Sequence, residues 1–442
     1  MNEEYFTKTA FIQIKTDDDL SSLNNAIKHL ESHGYKYLFI DEITLIKDFI
    51  DSAALFSDIY ASSGIKIVLS GADSLGFLFA KGEQLYDRCI TLHTTFIPYR
   101  EFENVLGITG IDEYISFGGT MSLSGINYNN ESPFSTYKKT NEYIDTAIAK
   151  NIQHSLKYYE HGSHFRNLIK LYEKNELTKV INRLVEDINH RFTINVFTKT
   201  FRSTDLSIST NNLLKDINHP NDILSKIDRE SVEKRLIQIL EILNIEEQSI
   251  NIDEAYVLEI KEYLSLLDLI MEIDEESLPV VNSKNKKIVF TQPGMRYSQA
   301  KELVISLLQD EYFSSFSISE RTYILNRILH EVKGRMLEEI ILLETKMAYP
   351  KKHVFKLLFS IGEFDMVVAD NESLTCDIYE IKYSKEIIDK HYQHLIDDKK
   401  CADTEFRYGK IINKYVIYRG QSTEVNGIKY VNVEEYLNKL GK

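Results

Sequence analysis

The sequence predicts a multidomain α/β protein, and three observations support this fold class. The chain has 442 residues, more than a single hydrophobic core accommodates, so we expect about two to four domains. Near the N-terminus, short apolar runs are separated by helical patterns, which predicts strand–helix–strand units and a parallel sheet. Near the C-terminus, two acid-bearing strands followed by a helix and further strands predict a mixed sheet.

The composition is typical of a globular protein of the cytoplasm. Hydrophobic residues make up 43% of the chain and the formal net charge is −15, so any nucleic-acid contact must come from local patches. We find no apolar run of about eighteen residues and no basic region followed by an apolar one at the N-terminus, so neither a membrane span nor a signal peptide is expected. The 3 cysteines lack C-x-x-C spacing, which favours a reducing compartment and excludes a zinc site built mainly on thiolates.

The first 70 residues alternate between strand and helix patterns. We predict strands at 5–16, 35–41 and 65–70, and helices at 20–33 and 44–61. The second and third strands are continuous apolar runs, which is typical of strands buried in a parallel sheet. Polar residues just beyond their carboxyl ends therefore lie where such sheets place active-site groups.

Asp41 and Glu42 directly follow the apolar part of the second predicted strand. Two acids at this place suit a nucleoside triphosphatase, in which Asp41 would hold Mg²⁺ through water and Glu42 would polarise the attacking water. The alternative is a strand that ends in a solvated acidic turn. Ser70 ends the third strand, where a hydroxyl group can bond to the attacking water or to the γ-phosphate.

Arg88 precedes an apolar run at 89–92 that we predict to be a strand. An arginine here could be presented to the nucleotide of a neighbouring subunit, which would require a homo-oligomer. The alternative is a surface arginine paired with Asp87.

Four segments of the N-terminal region resemble known motifs in sequence and order. They are Leu38–Ile43, Val68–Ser74, Asp87-Arg88 and Ile97–Phe102. Together they resemble the bacterial and archaeal AAA-type ATPases that carry a C-terminal restriction-endonuclease-like domain. The resemblance implies a P-loop ATPase core at 1–98 that binds ATP with Mg²⁺ through Asp41, Glu42, Ser70 and Arg88.

The chain departs from this family at its phosphate loop. The pattern G-x-x-x-x-G-K-[ST], whose backbone N–H groups and lysine hold the nucleotide phosphates, is absent from the sequence. We therefore expect a partial, truncated ATPase core that binds ATP only if this loop is supplied. Either the start of the chain is misassigned or the ATPase half has degenerated.

The middle of the chain is predicted to be mainly helical. Residues 99–162 resemble the lid of the same family, with a loop at 124–141 and helices near 142–160. Residues 163–298 follow as helices and a hairpin of 278–281 with 287–290, which resembles a winged helix. In that family such helices bind DNA or pack against neighbouring segments, and a winged helix does not by itself decide between them.

Residues 299–442 contain a second acidic constellation. We predict Glu338 on a helix at 321–348, Asp365 within a strand at 359–368, and Glu380 with Lys382 on the partner strand. Alternation along that partner strand, predicted at 377–384, puts Glu380 and Lys382 on one face. Hydrolysis of a phosphodiester needs carboxylates on Mg²⁺ and a group that orients or deprotonates water.

The spacing of Asp365, Glu380 and Lys382 resembles the restriction-endonuclease-like (PD-(D/E)XK) pattern. The resemblance implies a Mg²⁺-dependent, DNA-cleaving domain in which Glu338, Asp365 and Glu380 are metal ligands and Lys382 is the catalytic lysine. One alternative is ordinary cross-strand ion pairing on a surface sheet. The other is a non-catalytic DNA- or protein-binding module in which both folds are degenerate. The histidine pairs His161/His164 and His391/His394 have no matching carboxylate pair and are expected to be solvated.

Overall fold

The computed structural model describes most of the chain, and its contacts divide the chain into two compact units. The described residues are 3–71, 74–92, 96–107, 109–120, 133–149, 152–153, 156, 165–202, 234–235, 238, 254–279 and 285–441. The small unit comprises Met1–His93, Tyr143–Asn182 and Ile252–Leu267. The large unit comprises Thr94–Glu142, Arg183–Asn251 and Asp268–Lys442. This grouping interleaves along the chain, unlike the four consecutive segments predicted from the sequence.

The small unit contains the predicted parallel sheet. Its strands are β1 (Thr9–Gln13), β2 (Tyr37–Asp41) and β3 (Lys66–Leu69), and β2 lies in the middle. Both pairings are parallel, which confirms the strand–helix–strand prediction. The crossover helix Leu20–Ser32 begins at a capping box in which Asp19 and Ser22 satisfy each other's backbone N–H groups.

The sheet of the small unit is covered on one face. Leu38 and Ile40 point into the core, whereas Phe39, between them, is 43% exposed. Phe39 is in register with Phe11 of β1 and Val68 of β3, which are exposed as well. The expectation that β2 is buried on both faces is therefore wrong, because an apolar run alone does not distinguish a strand with one covered face from one with two.

Two further predictions in this region are wrong in detail. The helix predicted at 44–61 is broken into a 3₁₀ turn, a short α-helix and a π-helix. The described residues 89–92 form no strand. The other helical segments of the small unit are Glu3–Phe6, Ser74–Glu83, Ile144–Ala149 (a π-helix), Arg166–Glu173 and Glu254–Leu266.

The large unit is built on a mixed sheet of eight strands. Its order is β10-β11-β9-β8-β7-β6-β4-β5, with parallel pairs β11/β9, β9/β8 and β6/β4. The strands are β4 (Ile270–Leu278), β5 (Asn285–Phe290), β6 (His353–Phe359), β7 (Glu363–Asp370), β8 (Thr375–Ile381), β9 (Lys410–Tyr418), β10 (Thr423–Val425) and β11 (Ile428–Asn432). The mixed α/β class predicted for the C-terminal region is confirmed.

The predicted hairpin is present but longer, and it belongs to this sheet. It pairs β4 with β5 from Ile270 onward, whereas we placed its first strand at 278–281 and assigned residues 270–272 to a helix. Residues 280–284, at the hairpin's tip, lie outside the described part of the chain. β4 continues the sheet by parallel pairing with β6. The hairpin is thus an extension of the C-terminal sheet.

Helices cover both faces of the large sheet. The longest is Ile318–Ala348, which begins at a capping box between Ser317 and Glu320 and shares a core with Met366 and Ile381. The others are Tyr99–Leu106, Ile111–Phe117, Tyr137–Tyr143, Leu177–Arg202 (of which residues 183–202 belong here), Pro293–Gln309, Asp398–Tyr408 and Val433–Lys439, with 3₁₀ turns at Glu311–Phe313 and Asp389–Tyr392.

Several predicted features need a correction or lie outside the description. The loop predicted at 124–141 overlaps the helix that begins at Tyr137. Most of the remainder of that loop, much of the helical region predicted from residue 163 onward and the pair His161/His164 lie outside the described residues. Within the described ranges, no helix combines the length and apolarity that crossing a membrane requires.

Two buried glutamates tie the long helix to the rest of the large unit. Glu344 accepts a hydrogen bond from the backbone N–H of Tyr99 at 2.8 Å. Glu339 pairs with Arg296, whose guanidinium also lies 4.5 Å from the ring centroid of Phe192. Both glutamates are at most 5% exposed, so each must be hydrogen-bonded, ion-paired or protonated.

Candidate metal centre

Three carboxylates meet where the long helix faces strand β7. Glu338, Glu363 and Asp365 each offer an oxygen, and these oxygens all lie within 4.8 Å of one another. Glu338 comes from the helix, while Glu363 and Asp365 are two residues apart on β7. Carboxylate oxygens clustered in this way match the ligands that Mg²⁺ and similar hard cations prefer.

Glu363 is the member of this cluster that the sequence analysis missed. We predicted one strand over 359–368, whereas the chain turns at 360–362 and β7 begins at Glu363. Because alternate residues of a strand share a face, the spacing of Glu363 and Asp365 was a usable signal. The Asp–Glu-x-Lys pattern by itself does not include Glu363.

Lys382 and Glu380 lie beside Asp365, as the strand pairing predicted. The Nζ atom of Lys382 is 3.0 Å from Asp365 Oδ2 and 2.5 Å from Glu380 Oε2. The backbone N–H of Ile381 also donates to Asp365 Oδ2, at 2.8 Å. The structure therefore brings together all four predicted residues, but it places Glu380 against the lysine and Glu363 in the carboxylate cluster.

Two further cations, Arg335 and Lys356, pair with carboxylates of the cluster. Arg335, one turn before Glu338 on the long helix, donates to both oxygens of Glu338 at 2.9 and 2.8 Å. Lys356 of β6 is 2.8 Å from Glu363 Oε1 and 3.6 Å from Glu338 Oε2. Neither residue follows from a sequence motif, because Arg335 is one of several basic residues on its helix and Lys356 lies on a mostly apolar strand.

The charges set the protonation states of the centre. Burial alone would raise the pKa of Asp365, but Lys382 and Lys356 lower it well below its usual range. Burial raises the pKa of Glu380 well above its usual range, and Lys382 offsets this only in part. Burial alone would lower the pKa of Lys382, yet Asp365 and Glu380 raise it. Asp365 is thus an anion, Glu380 favours its proton, and Lys382 is a firmly held ammonium.

These states restrict the chemistry of Lys382. An ammonium whose pKa is raised gives up its proton reluctantly, so Lys382 is unsuited to be the base that activates water. It can donate hydrogen bonds to a water molecule or to a phosphoryl oxygen and stabilise negative charge there. The arrangement suits Lys382 to positioning and charge stabilisation and not to proton abstraction.

The predicted nucleotide site in the small unit is only partly assembled. Ser70 Oγ donates to Asp41 Oδ1 at 2.6 Å, so these two strand ends do meet. Glu42 follows in the left-handed backbone region, with φ of 56°. Arg88 pairs with Asp58 at 3.1 Å and not with the predicted Asp87. Asp41 already has a partner and the sequence offers no phosphate loop, so the residues present do not fit ATP.

The histidines near the metal centre are less solvated than predicted. His391 and His394 are both partly buried. Burial, together with the charge of Lys382, lowers the pKa of His391 to about 4. His394 Nδ1 lies 2.6 Å from the Nζ atom of Lys400. The expectation of solvated faces is therefore wrong for this pair, because the 3₁₀ turn Asp389–Tyr392 and the residues directly after it pack on the sheet through Tyr392 and Leu395.

Comparisons of the whole chain with models of known protein families, with curated proteins and with solved structures find no match.

Proposed function

We propose that the large unit is a Mg²⁺-dependent nuclease that hydrolyses phosphodiester bonds of DNA. The observation that carries the proposal is the carboxylate cluster of Glu338, Glu363 and Asp365, with the ammonium of Lys382 held 3.0 Å from Asp365. Carboxylates supply the hard ligands and negative charge that a divalent cation needs, and a fixed ammonium beside them can contact a phosphoryl oxygen. DNA as the substrate rests on the resemblance to restriction-endonuclease-like domains.

The donor set fits a divalent cation, and Glu338, Glu363 and Asp365 are the residues that would hold it. A bound Mg²⁺ would supply charge stabilisation and a more acidic bound water. Lys382 would orient the attacked phosphate through its Nζ–H groups, while Glu380 keeps Lys382 in place through the 2.5 Å contact. Arg335 and Lys356, which now neutralise the carboxylates, would be free to turn toward phosphate oxygens once a cation takes over that role.

The test is cleavage of a linear duplex DNA in Mg²⁺ or Mn²⁺ by the full chain and by four variants. We expect Asp365→Asn, Glu363→Gln and Lys382→Met each to lower the cleavage rate by about 100-fold or more, since each removes a ligand or a charge stabiliser. Glu372→Gln, in the exposed turn after β7, is the matched control and keeps the wild-type rate. If the Asp365→Asn variant cleaves DNA at the wild-type rate, the nuclease activity resides elsewhere.

Measurements of metal binding distinguish the cluster that contains Glu363 from the predicted ligand set that contains Glu380. Titration calorimetry with Mn²⁺ should lose its heat signal in Glu363→Gln and keep it in Glu380→Gln, because Glu380 lies against Lys382 and not in the cluster. The reverse result would favour the ligand set predicted from the sequence.

A second candidate function rests on a specific observation. Arg335 and Lys356 already pair with the cluster's carboxylates, as expected of a closed, purely structural ion network. On that reading the unit is a non-catalytic DNA- or protein-binding module. It would cleave nothing in Mg²⁺ or Mn²⁺, yet would bind DNA with an affinity that falls with salt. The residues of the small unit enter neither proposal, since those present do not fit ATP.

A further inference from the structure

Lys400 is a buried lysine whose ammonium lacks a counter-ion. The residue is 9% exposed, and its Nζ atom lies 2.6 Å from His394 Nδ1 and 5.4 Å from the ring centroid of Phe359. Among the described residues, no carboxylate lies within 4.0 Å of this ammonium. The nearby Asp397 instead accepts the backbone N–H of Lys400 at 3.1 Å.

This situation is energetically unusual in the large unit. Lys356, which is buried, and Lys382, which is half-buried, each contact two carboxylates. Burying a charge without an ionic partner costs free energy, and that cost is recovered when an anion binds beside it. The position of Lys400 therefore favours an anionic ligand.

His394 holds the ammonium of Lys400 in place. Lys400 Nζ carries only donor hydrogens, so Nδ1 of His394 must accept, which leaves the ring proton on Nε2. Burial and the charge of Lys400 lower the pKa of His394, in agreement with a neutral ring in this tautomer. The Nε2–H group points away from Lys400, so the ammonium of Lys400 is the group that an anion would contact.

The pair lies directly beside the carboxylate cluster. A Cβ atom built on Gly362 would come within 2.8 Å of His394 Nε2 and 2.9 Å of Lys400 Nζ, so both side chains pack on the turn between β6 and β7. Glu363, a member of the cluster, is the next residue. Gly362 has φ of 82° and supplies the space that the two side chains occupy.

We propose that Lys400, held in place by His394, binds a backbone phosphate of DNA next to the phosphodiester at the metal centre. This inference rests on the proposed function. DNA presents phosphates at regular spacing along each strand, so a strand with one phosphodiester at the metal centre brings a neighbouring phosphate close to this turn. The ammonium of Lys400 supplies both the positive charge and the N–H donors that a phosphate oxygen needs.

The first test measures DNA binding by fluorescence anisotropy in EDTA, where cleavage does not occur, over a range of salt concentrations. Lys400→Met should weaken binding irrespective of DNA sequence and reduce the slope of log K against log salt by about one. Lys351→Met removes the same charge from an exposed position before the opposite end of β6 and should leave the slope unchanged. Equal slopes for Lys400→Met and the wild type would overturn the assignment to DNA.

The second test uses inorganic phosphate and needs no nuclease activity. Phosphate should raise the melting temperature of the wild type, Lys351→Met and Asp365→Asn, and should not raise that of Lys400→Met. Methionine keeps the apolar stem against Phe359 and removes an unpaired charge, so the variant should fold. A phosphate response that survives Lys400→Met would refute the site. A Lys400-dependent response in a chain that cleaves no DNA would refute the nuclease proposal and leave the anion site standing.

Discussion

Glu344 allows the sharpest stability prediction for this protein. Its side chain is buried in the core of the large unit, where the backbone N–H of Tyr99 donates to Oε1. Burial raises the pKa of Glu344 to about 7, and the hydrogen bonds from Tyr99 and Tyr114 offset only part of the rise. The group is therefore neutral in the folded protein at pH values at which it is ionised in the unfolded chain.

The sign and size of the effect follow from the two pKa values. Below the ordinary value of 4.5 the carboxyl is protonated in both states, and the stability that the proton provides is lost as the pH rises through about 7. The two values differ by about 2.5, and each pKa unit corresponds to about 1.4 kcal/mol, so ionised Glu344 costs about 3 kcal/mol at pH 8. Glutamine stays neutral and keeps an acceptor for Tyr99. Glu344→Gln should stabilise the protein at pH 8 by up to about this amount and at pH 5 by less than about 1 kcal/mol.

Urea denaturation followed by circular dichroism at both pH values measures this difference. Glu372→Gln, at an exposed turn, is the control and should shift stability equally at pH 5 and pH 8. A Glu344→Gln variant that is destabilised at pH 8, or one whose effect is the same at both pH values, would refute the argument.

Two further predictions concern packing in the large unit. Arg296→Met leaves the buried Glu339 with Lys287 as its remaining cation, so urea denaturation should show a free energy of unfolding lower by about 3 kcal/mol. Much of this loss should be recovered in the double variant Arg296→Met/Glu339→Leu. An unchanged stability of the single variant would contradict the role of this pair. Gly409→Ala would put a Cβ 2.1 Å from the backbone oxygen of Leu374 at φ of 94°, so it should lower the melting temperature clearly more than Gly427→Ala, where φ is 75° and nothing lies within 4 Å; equal shifts would contradict this reasoning.

Local patterns in the sequence predicted much of the fold, and long-range pairing accounts for most of the errors. Alternation and apolar runs located β2, β3 and β8 to within a few residues, because each strand carries its own pattern. They did not show that β4 leaves a helical run at Asp268 and joins β6, since that pairing spans about eighty residues and depends on the register of the sheet. The exposed face around Phe39 was missed for the same reason, because coverage is a tertiary property.

In the candidate site, too, local sequence patterns predict some residues while others depend on the folded structure. Asp365, Glu380 and Lys382 were found because their spacing along paired strands brings them together in any register close to the observed one. The exchange of Glu380 for Glu363 in the carboxylate cluster depends on where the chain turns before β7, which the apolar pattern did not mark. Lys400 could not be found from sequence, since only the folded structure shows that its ammonium is buried.

The pairing of β4 with β6 also determines which pieces of this protein can be studied alone. A fragment that starts at residue 299, the boundary predicted from the sequence, would lack β4 and β5 and leave β6 at the edge of the sheet. That edge would present open N–H and C=O groups together with the apolar side chains of Val354, Phe355 and Leu357, which are buried in the full chain. Exposed apolar edges recruit other chains. A fragment that starts at residue 268 keeps the edge capped by the hairpin, so insolubility of the shorter piece would say nothing about the metal centre.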